Sequence, residues 1–230
     1  ASITTIKRNR ILKAFLAAII LIAVWEVIFL IVNKPLLVAS PLDTVKRLFV
    51  LSAKLSFWKT LLNSLLHILT GFILGVAAGT LLACLTSKIS FLYSLFKPVV
   101  NIIKATPVAS FTILALVWMN KTAVPSFISF LMVLPIVFAN VSSGIEQTDR
   151  SLLEMAKVFH FTGKQRLTKI YIPSVMPSFL AAVTTSLGFA WKAGVAAEVL
   201  ATPRNSIGTE LYNSKVYLET TDLFAWTAAV

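Results

Sequence analysis

Lysine is the side chain of this protein best suited to act on a solute, and two short patterns set it beside other polar groups in apolar surroundings. Lys97, Asn101 and Lys104 recur at i, i+4 and i+7, and Thr185, Gly188 and Lys192 at i, i+3 and i+7. Each set therefore shares one face of a helix. A charge inside an apolar segment is costly, which makes it a functional candidate by default. The chemistry open to such faces is binding and passage of a charged solute, with two cations favouring an anion. The competing reading is structural: the ammonium groups snorkel to the interface or meet an internal carboxylate. Glu26 and Glu198 are the acidic groups available for that role, and Glu198 is also counted with the candidate path. Both readings stay open.

Covalent chemistry has no comparable support. His67 and His160 lie far apart, no cluster has metal-ligand spacing, and neither a nucleophile elbow nor an HExxH pair occurs. A phosphate-cradling loop needs GxxxxGK[ST], whereas Gly163-Lys164 is followed by Gln165. No cofactor is expected on this chain, and any nucleotide chemistry must come from a partner.

The elements that carry these residues are membrane spans. The 230 residues are 57% hydrophobic and only 13% charged, with mean hydropathy +0.86. Soluble domains carry roughly 25% charged residues. Apolar runs long enough to cross a hydrocarbon core of about 30 Å occur at 11–32, 60–85, 95–119, 123–141 and 174–199. A sixth begins near Leu223 and is still running at Val230. Half a span would leave backbone groups unsatisfied in lipid, so the sixth is expected to continue. The first run exceeds the about 7–15 residues of a signal-peptide core and reads as an uncleaved helix. An amphipathic helix, 42–54, is expected at the surface after it.

The net charge of +12 comes from cations placed between apolar runs, which argues against nucleic acid and for a bilayer partner. A small excess of Lys and Arg on the side of the N-terminus places that end in the cytoplasm. The lone Cys84 excludes an internal disulfide. Gly71, Gly75 and Gly79 recur every four residues on one helix face, as in close small-residue packing. That face meets another helix, either in a second copy of the chain or, more simply, within the same one.

The segment 149–173, DRSLLEMAKVFHFTGKQRLTKIYIP, is too long and too patterned for a connector. Leu152, Leu153, Ala156, Val158 and Phe159 form an apolar side, and Glu154 and Lys157 a polar one. Thr162-Gly163 is expected to end the first helix before a second, basic one. Two short helices on the cytoplasmic surface would follow.

These residues resemble the EAA loop of binding-protein-dependent ABC importer permeases. Glu154-Met155-Ala156 stands for the Glu-Ala-Ala of that pattern, and Ile170, Ile172 and Pro173 for its end, with Pro177 in place. Met155 replaces the first alanine, and His160 stands where glycine is usual. Gly163 is expected to supply the turn instead. Trp25-Glu26, Ser40-Pro41, Asn63-Ser64-Leu65, Lys104-Ala105-Thr106-Pro107 and residues 191–201 (WKAGVAAEVLA) resemble the nitrate, sulfonate, taurine and bicarbonate class.

The resemblance implies an all-α, type I importer transmembrane fold: one permease domain over 1–230, with an N-terminal helix and external surface helix in 1–58 and the core in 59–230. About six spans and a cytoplasmic coupling helix would sit in a bacterial plasma membrane. It also implies partners: a cytoplasmic ATPase dimer carrying ATP and Mg, a second permease copy, and an extracytoplasmic solute-binding protein. Glu154, Met155, Ala156, His160, Gly163 and Pro173 would then couple to the ATPase. A sulfonate, nitrate or similar anion fits the class and the lysines. A thiamine precursor, a pyrimidine or another small organic molecule is the alternative, with ion-coupled secondary transport further off.

Overall fold

Apolar residues fill the 11–32 run without a polar stripe, and the result is one continuous helix, α1 (Ile3–Val32), with no buried residue in Phe15–Val32. A helix this apolar and this little buried fits lipid rather than a protein core. The computed structural model describes the backbone from Ile3 to Val230 and side chains from Lys13 onward, Ala14 excepted. The chain divides into two units, one of residues 1–60 and 210–230 and one of residues 61–209.

In the first unit, Ser40 caps α2 (Pro41–Ser52): its Oγ accepts from the Asp43 N–H at 3.0 Å, and Pro41 occupies the first turn, where its missing N–H costs nothing. The Trp25 indole donates to the Ala39 carbonyl at 3.0 Å and stacks on Phe224. Arg47 of α2 grips Asp222 of α11 (Thr220–Ala229) with two nitrogens, Nη2 lying 2.7 Å from Oδ2. That bidentate bond raises the Arg47 pKa further. The amphipathic helix is therefore packed against α11 on one side rather than lying free on a surface. Burial, together with Asp222 and Glu219, pushes the carboxyl of Glu210 above its ordinary range.

The second unit is built on three long helices. α3 (Leu55–Lys88), α6 (Val124–Glu146) and α9 (Ile172–Ala201) meet through small residues. A methyl group on Gly71 would collide with the Ser126 carbonyl, one on Gly75 would sit 2.7 Å from Val133 Cβ, and one on Gly79 2.9 Å from the Leu134 carbonyl oxygen. The glycine face thus seats α6 of the same chain. Ser126 Oγ donates to the His67 carbonyl at 2.7 Å and Ser129 Oγ to the Ala190 carbonyl at 3.2 Å, so hydroxyls hold the contact that the glycines permit. Ile128, Ala193, Ala197 and Ala201 are buried in a cluster that α5 (Val108–Trp118) completes with Ala115.

Two expectations about the helices are corrected. The run 95–119 is not one helix: α4 (Ser90–Ala105) and α5 are bent by 105° at Thr106-Pro107. Pro107 has no N–H for a continuing ladder and forces Thr106 into extended backbone. The second basic helix of the 149–173 segment is not separate either. Gly163–Arg166 passes through a π-helical turn, Leu167–Tyr171, straight into α9, making one 39-residue rod about 58 Å long at roughly 1.5 Å per residue. The described residues contain four helices long and apolar enough to cross a membrane, or five if the bent pair is one span. α11, from Thr220 to Ala229 at the end of the given sequence, is not among them.

Candidate functional site

The 149–173 segment begins where Asp149 accepts from the Ser151 N–H at 2.8 Å and opens α7 (Arg150–Val158). Helical spacing then separates its apolar residues. Ala156 is fully buried and Leu153 half-buried, whereas Leu152, Met155, Val158 and Phe159 are exposed, Val158 and Phe159 at 74% and 69%. The exposed edge adjoins Glu154, which is also exposed. The apolar side expected as one docking surface is therefore two: Ala156 holds α7 to its own chain, and its neighbours a turn away face outward. Ala156 presents no surface of its own in this arrangement.

The turn after α7 also differs from expectation. His160 itself adopts the left-handed conformation at φ 51°, and the Phe161 N–H closes back on the Ala156 carbonyl at 2.9 Å. Gly163 has ordinary helical backbone and open space around it. The preceding Thr162 forms a capping box with Gln165, the Thr162 N–H donating to Gln165 Oε1 at 2.8 Å. His160 thus sits in the geometry that glycine takes most readily, at the position where the EAA pattern has one. Pro173 lies just past the π turn, in the first turn of α9.

Lys97, Asn101 and Lys104 come together on α4, facing α6 across a cleft of about 230 Å³ whose buried floor includes Val100, Phe138 and Ser142. Thr185, Gly188 and Lys192 are exposed on α9, and none of them lines that cleft. Among the described residues, none of the three lysines forms an ion pair. Lys97 Nζ stands 5.2 Å over the Tyr93 ring.

Glu198, counted with the candidate path and also as a structural partner, is held inside the chain. Its side chain is completely buried: Oε2 accepts from Ser64 Oγ at 2.8 Å and from the Gly208 N–H at 3.1 Å, and Ser64 Oγ in turn accepts from the Ile207 N–H at 2.9 Å. Oε1 faces His67 Nδ1 at 3.9 Å. A carboxylate so enclosed ties α3, the end of α9 and the start of α10 (Ile207–Val216), and in this arrangement it is closed off from solvent. Ser64 was legible only as part of Asn63-Ser64-Leu65; its partner 134 residues away was not.

Several long apolar helices, with a short amphipathic helix exposed between two of them, fit a membrane-embedded transport subunit. The chain belongs to the family of binding-protein-dependent transport system inner membrane components, whose model matches residues 71–230. It is 27% identical over 95% of its length to the putative aliphatic sulfonates transport permease protein SsuC of Bacillus subtilis (strain 168), covering 80% of that protein. It is 26% identical over 84% of its length to the nitrate import permease protein NrtB of Synechococcus elongatus, covering 74%. With the glycine betaine transport system permease protein OpuAB of Bacillus subtilis it shares 25% over 75% of its length, covering 61%. The chain is accordingly an ABC transporter permease of the membrane, a transport component whose ATPase is a separate partner.

Proposed function

We propose that this permease pairs with a second copy of itself and, with two ATPase subunits and an external binding protein, imports a small anion such as a sulfonate or nitrate. ATP and Mg would be held by the ATPase. The observation that carries the reading is α7: a nine-residue helix with a buried anchor, Ala156, and an exposed apolar edge of Leu152, Met155, Val158 and Phe159 beside Glu154. An amphipathic helix that offers apolar knobs and a rim charge suits seating in a groove of a partner. Closure of the ATPase would pull α7, and the continuous rod from Gly163 into the membrane would carry that displacement inward, shifting the balance between inward- and outward-facing states. The 25% identity to a glycine betaine permease supports a second reading in which the solute is a small organic zwitterion.

Glu154→Arg and Phe159→Asp change only exposed groups and should leave insertion and folding intact. In proteoliposomes holding the whole transporter, we expect each to cut the stimulation of ATP hydrolysis by loaded binding protein at least about tenfold, a loss of roughly 1.4 kcal/mol of coupling. Stimulation and uptake at the unmutated level in both variants would remove α7 as the transmission element.

A further inference from the structure

Two lysines, an amide and two hydroxyls line the α4–α6 cleft, and one carboxylate stands against the two ammonium groups. Lys97 and Lys104 line it on α4, Asn101 lies between them, and Ser142 and Ser143 face them from α6. Glu146, exposed at the end of α6, is the one carboxylate on its lining. It forms no ion pair with either lysine. Ser142 is 8% exposed, and its Oγ, closed off from solvent, has no hydrogen-bond partner. A buried hydroxyl without a partner is expensive, and in a polar cleft it marks a place for a ligand acceptor. The volume, about 230 Å³, falls below the roughly 300–1,000 Å³ of sites for drug-sized ligands.

From these facts we infer that the α4–α6 cleft binds a small monoanion with a tetrahedral or planar oxygen head, such as a sulfonate or nitrate, and discriminates by charge. Two ammonium groups against one carboxylate leave a net of one positive charge. Lys104 and Lys97 supply attraction, while Asn101 Nδ2 and Ser142 Oγ supply donors to the oxygens. Glu146 opposes a second negative charge and so selects against dianions. A trimethylammonium zwitterion of glycine betaine type has a bulky cationic head that the lysines repel. The inference deepens the proposed function by giving its anion a binding place on this chain, and it rests on that reading for the choice of probe.

The test uses the full-length permease with its ATPase in nanodiscs without ATP, titrated with methanesulfonate, sulfate and glycine betaine by calorimetry. Methanesulfonate should bind, with glycine betaine at least about tenfold weaker. Lys104→Gln should lose about tenfold in affinity, roughly 1.4 kcal/mol. Lys104→Arg should recover most of it, and Ser142→Ala should weaken binding severalfold. Lys121→Gln, in a loop away from the cleft, should change nothing. Glu146→Gln should improve sulfate relative to methanesulfonate. No methanesulfonate binding by the unmutated protein would overturn the inference. So would equal binding of glycine betaine, or unchanged binding in Lys97→Gln, Lys104→Gln and Ser142→Ala together, which would make the lysines snorkelling groups. ATP-driven uptake into proteoliposomes is read separately. Uptake that persists when the binding result is negative leaves the importer standing without this site. Binding without any ATP-driven uptake keeps the site and rejects the importer.

Discussion

His160 shows how far a single residue can depart from a family pattern without losing its geometry. Its φ of 51° is uncommon for a residue with a side chain and costs about 1–2 kcal/mol relative to right-handed backbone. Histidine tolerates this region better than a β-branched residue, which has two heavy atoms on Cβ to place. His160→Gly should therefore keep transport and raise the resistance of the loop to proteolysis at Phe159–Thr162. His160→Val should lower both, by about 1–3 kcal/mol of local stability. Equal protease sensitivity in the two variants would show that the left-handed turn does not limit the loop. Ala156 makes the complementary point: its place in the pattern suggested a partner contact, yet it is buried in its own chain. A residue type names a size requirement, and only the neighbours say whose surface imposes it.

Among the elements, the α3–α6 contact is where sequence spacing predicted most. Glycines every four residues can only remove side chains from one helix face, so a close neighbour followed from the pattern. Which helix that neighbour is did not follow, because spacing along α3 carries no information about α6. Gly71→Ala would press a methyl into the Ser126 carbonyl and disturb the Ser126–His67 hydrogen bond as well. We expect a loss of about 1–3 kcal/mol, the usual cost of overpacking, read as a lower unfolding temperature in detergent. Gly163→Ala meets nothing within 4 Å and replaces glycine inside a helix, so it should be neutral or stabilising by up to about 1 kcal/mol. An equal loss in both would mean that packing distance is not what α3 requires.

For the whole molecule, the long rod from Gly163 to Ala201 places the His160 turn and the Thr202–Ser206 turn at its opposite ends. At about 58 Å it exceeds a hydrocarbon core of about 30 Å, so it is long enough for its ends to reach different aqueous compartments. Single cysteines at Thr162 and Arg204 in a Cys84→Ala background should respond oppositely to an impermeant thiol reagent in intact cells, with Arg204→Cys labelled and Thr162→Cys protected. Labelling of Thr162→Cys alone would invert the topology. Arg204 is exposed, whereas the neighbouring Ser206 is fully buried and would give a false negative in either orientation.

Apolar run lengths determined the membrane class and all-helical fold by themselves, because lipid leaves the backbone no partner outside its own helix. The alternation of apolar and polar residues in 149–173 foretold an amphipathic helix there, and Lys97, Asn101 and Lys104 were legible as one face from spacing alone. Those are properties of a single helix, and 3.6-residue periodicity is written in the chain. What depended on a second element was not. The bend at Pro107 and the continuity of the basic stretch with α9 required knowing which backbone hydrogen bonds survive beside a proline. Lys192 and Lys104 looked like two sides of one path, but the cleft beside Lys104 is walled by α6, and Lys192 is not on it. Glu198 looked like an intramembrane charge poised for function, and Ser64 and Gly208 make it a tie between helices. A buried carboxylate's role is set by the groups that solvate it in place of water, and those arrive from distant parts of the chain only when it folds.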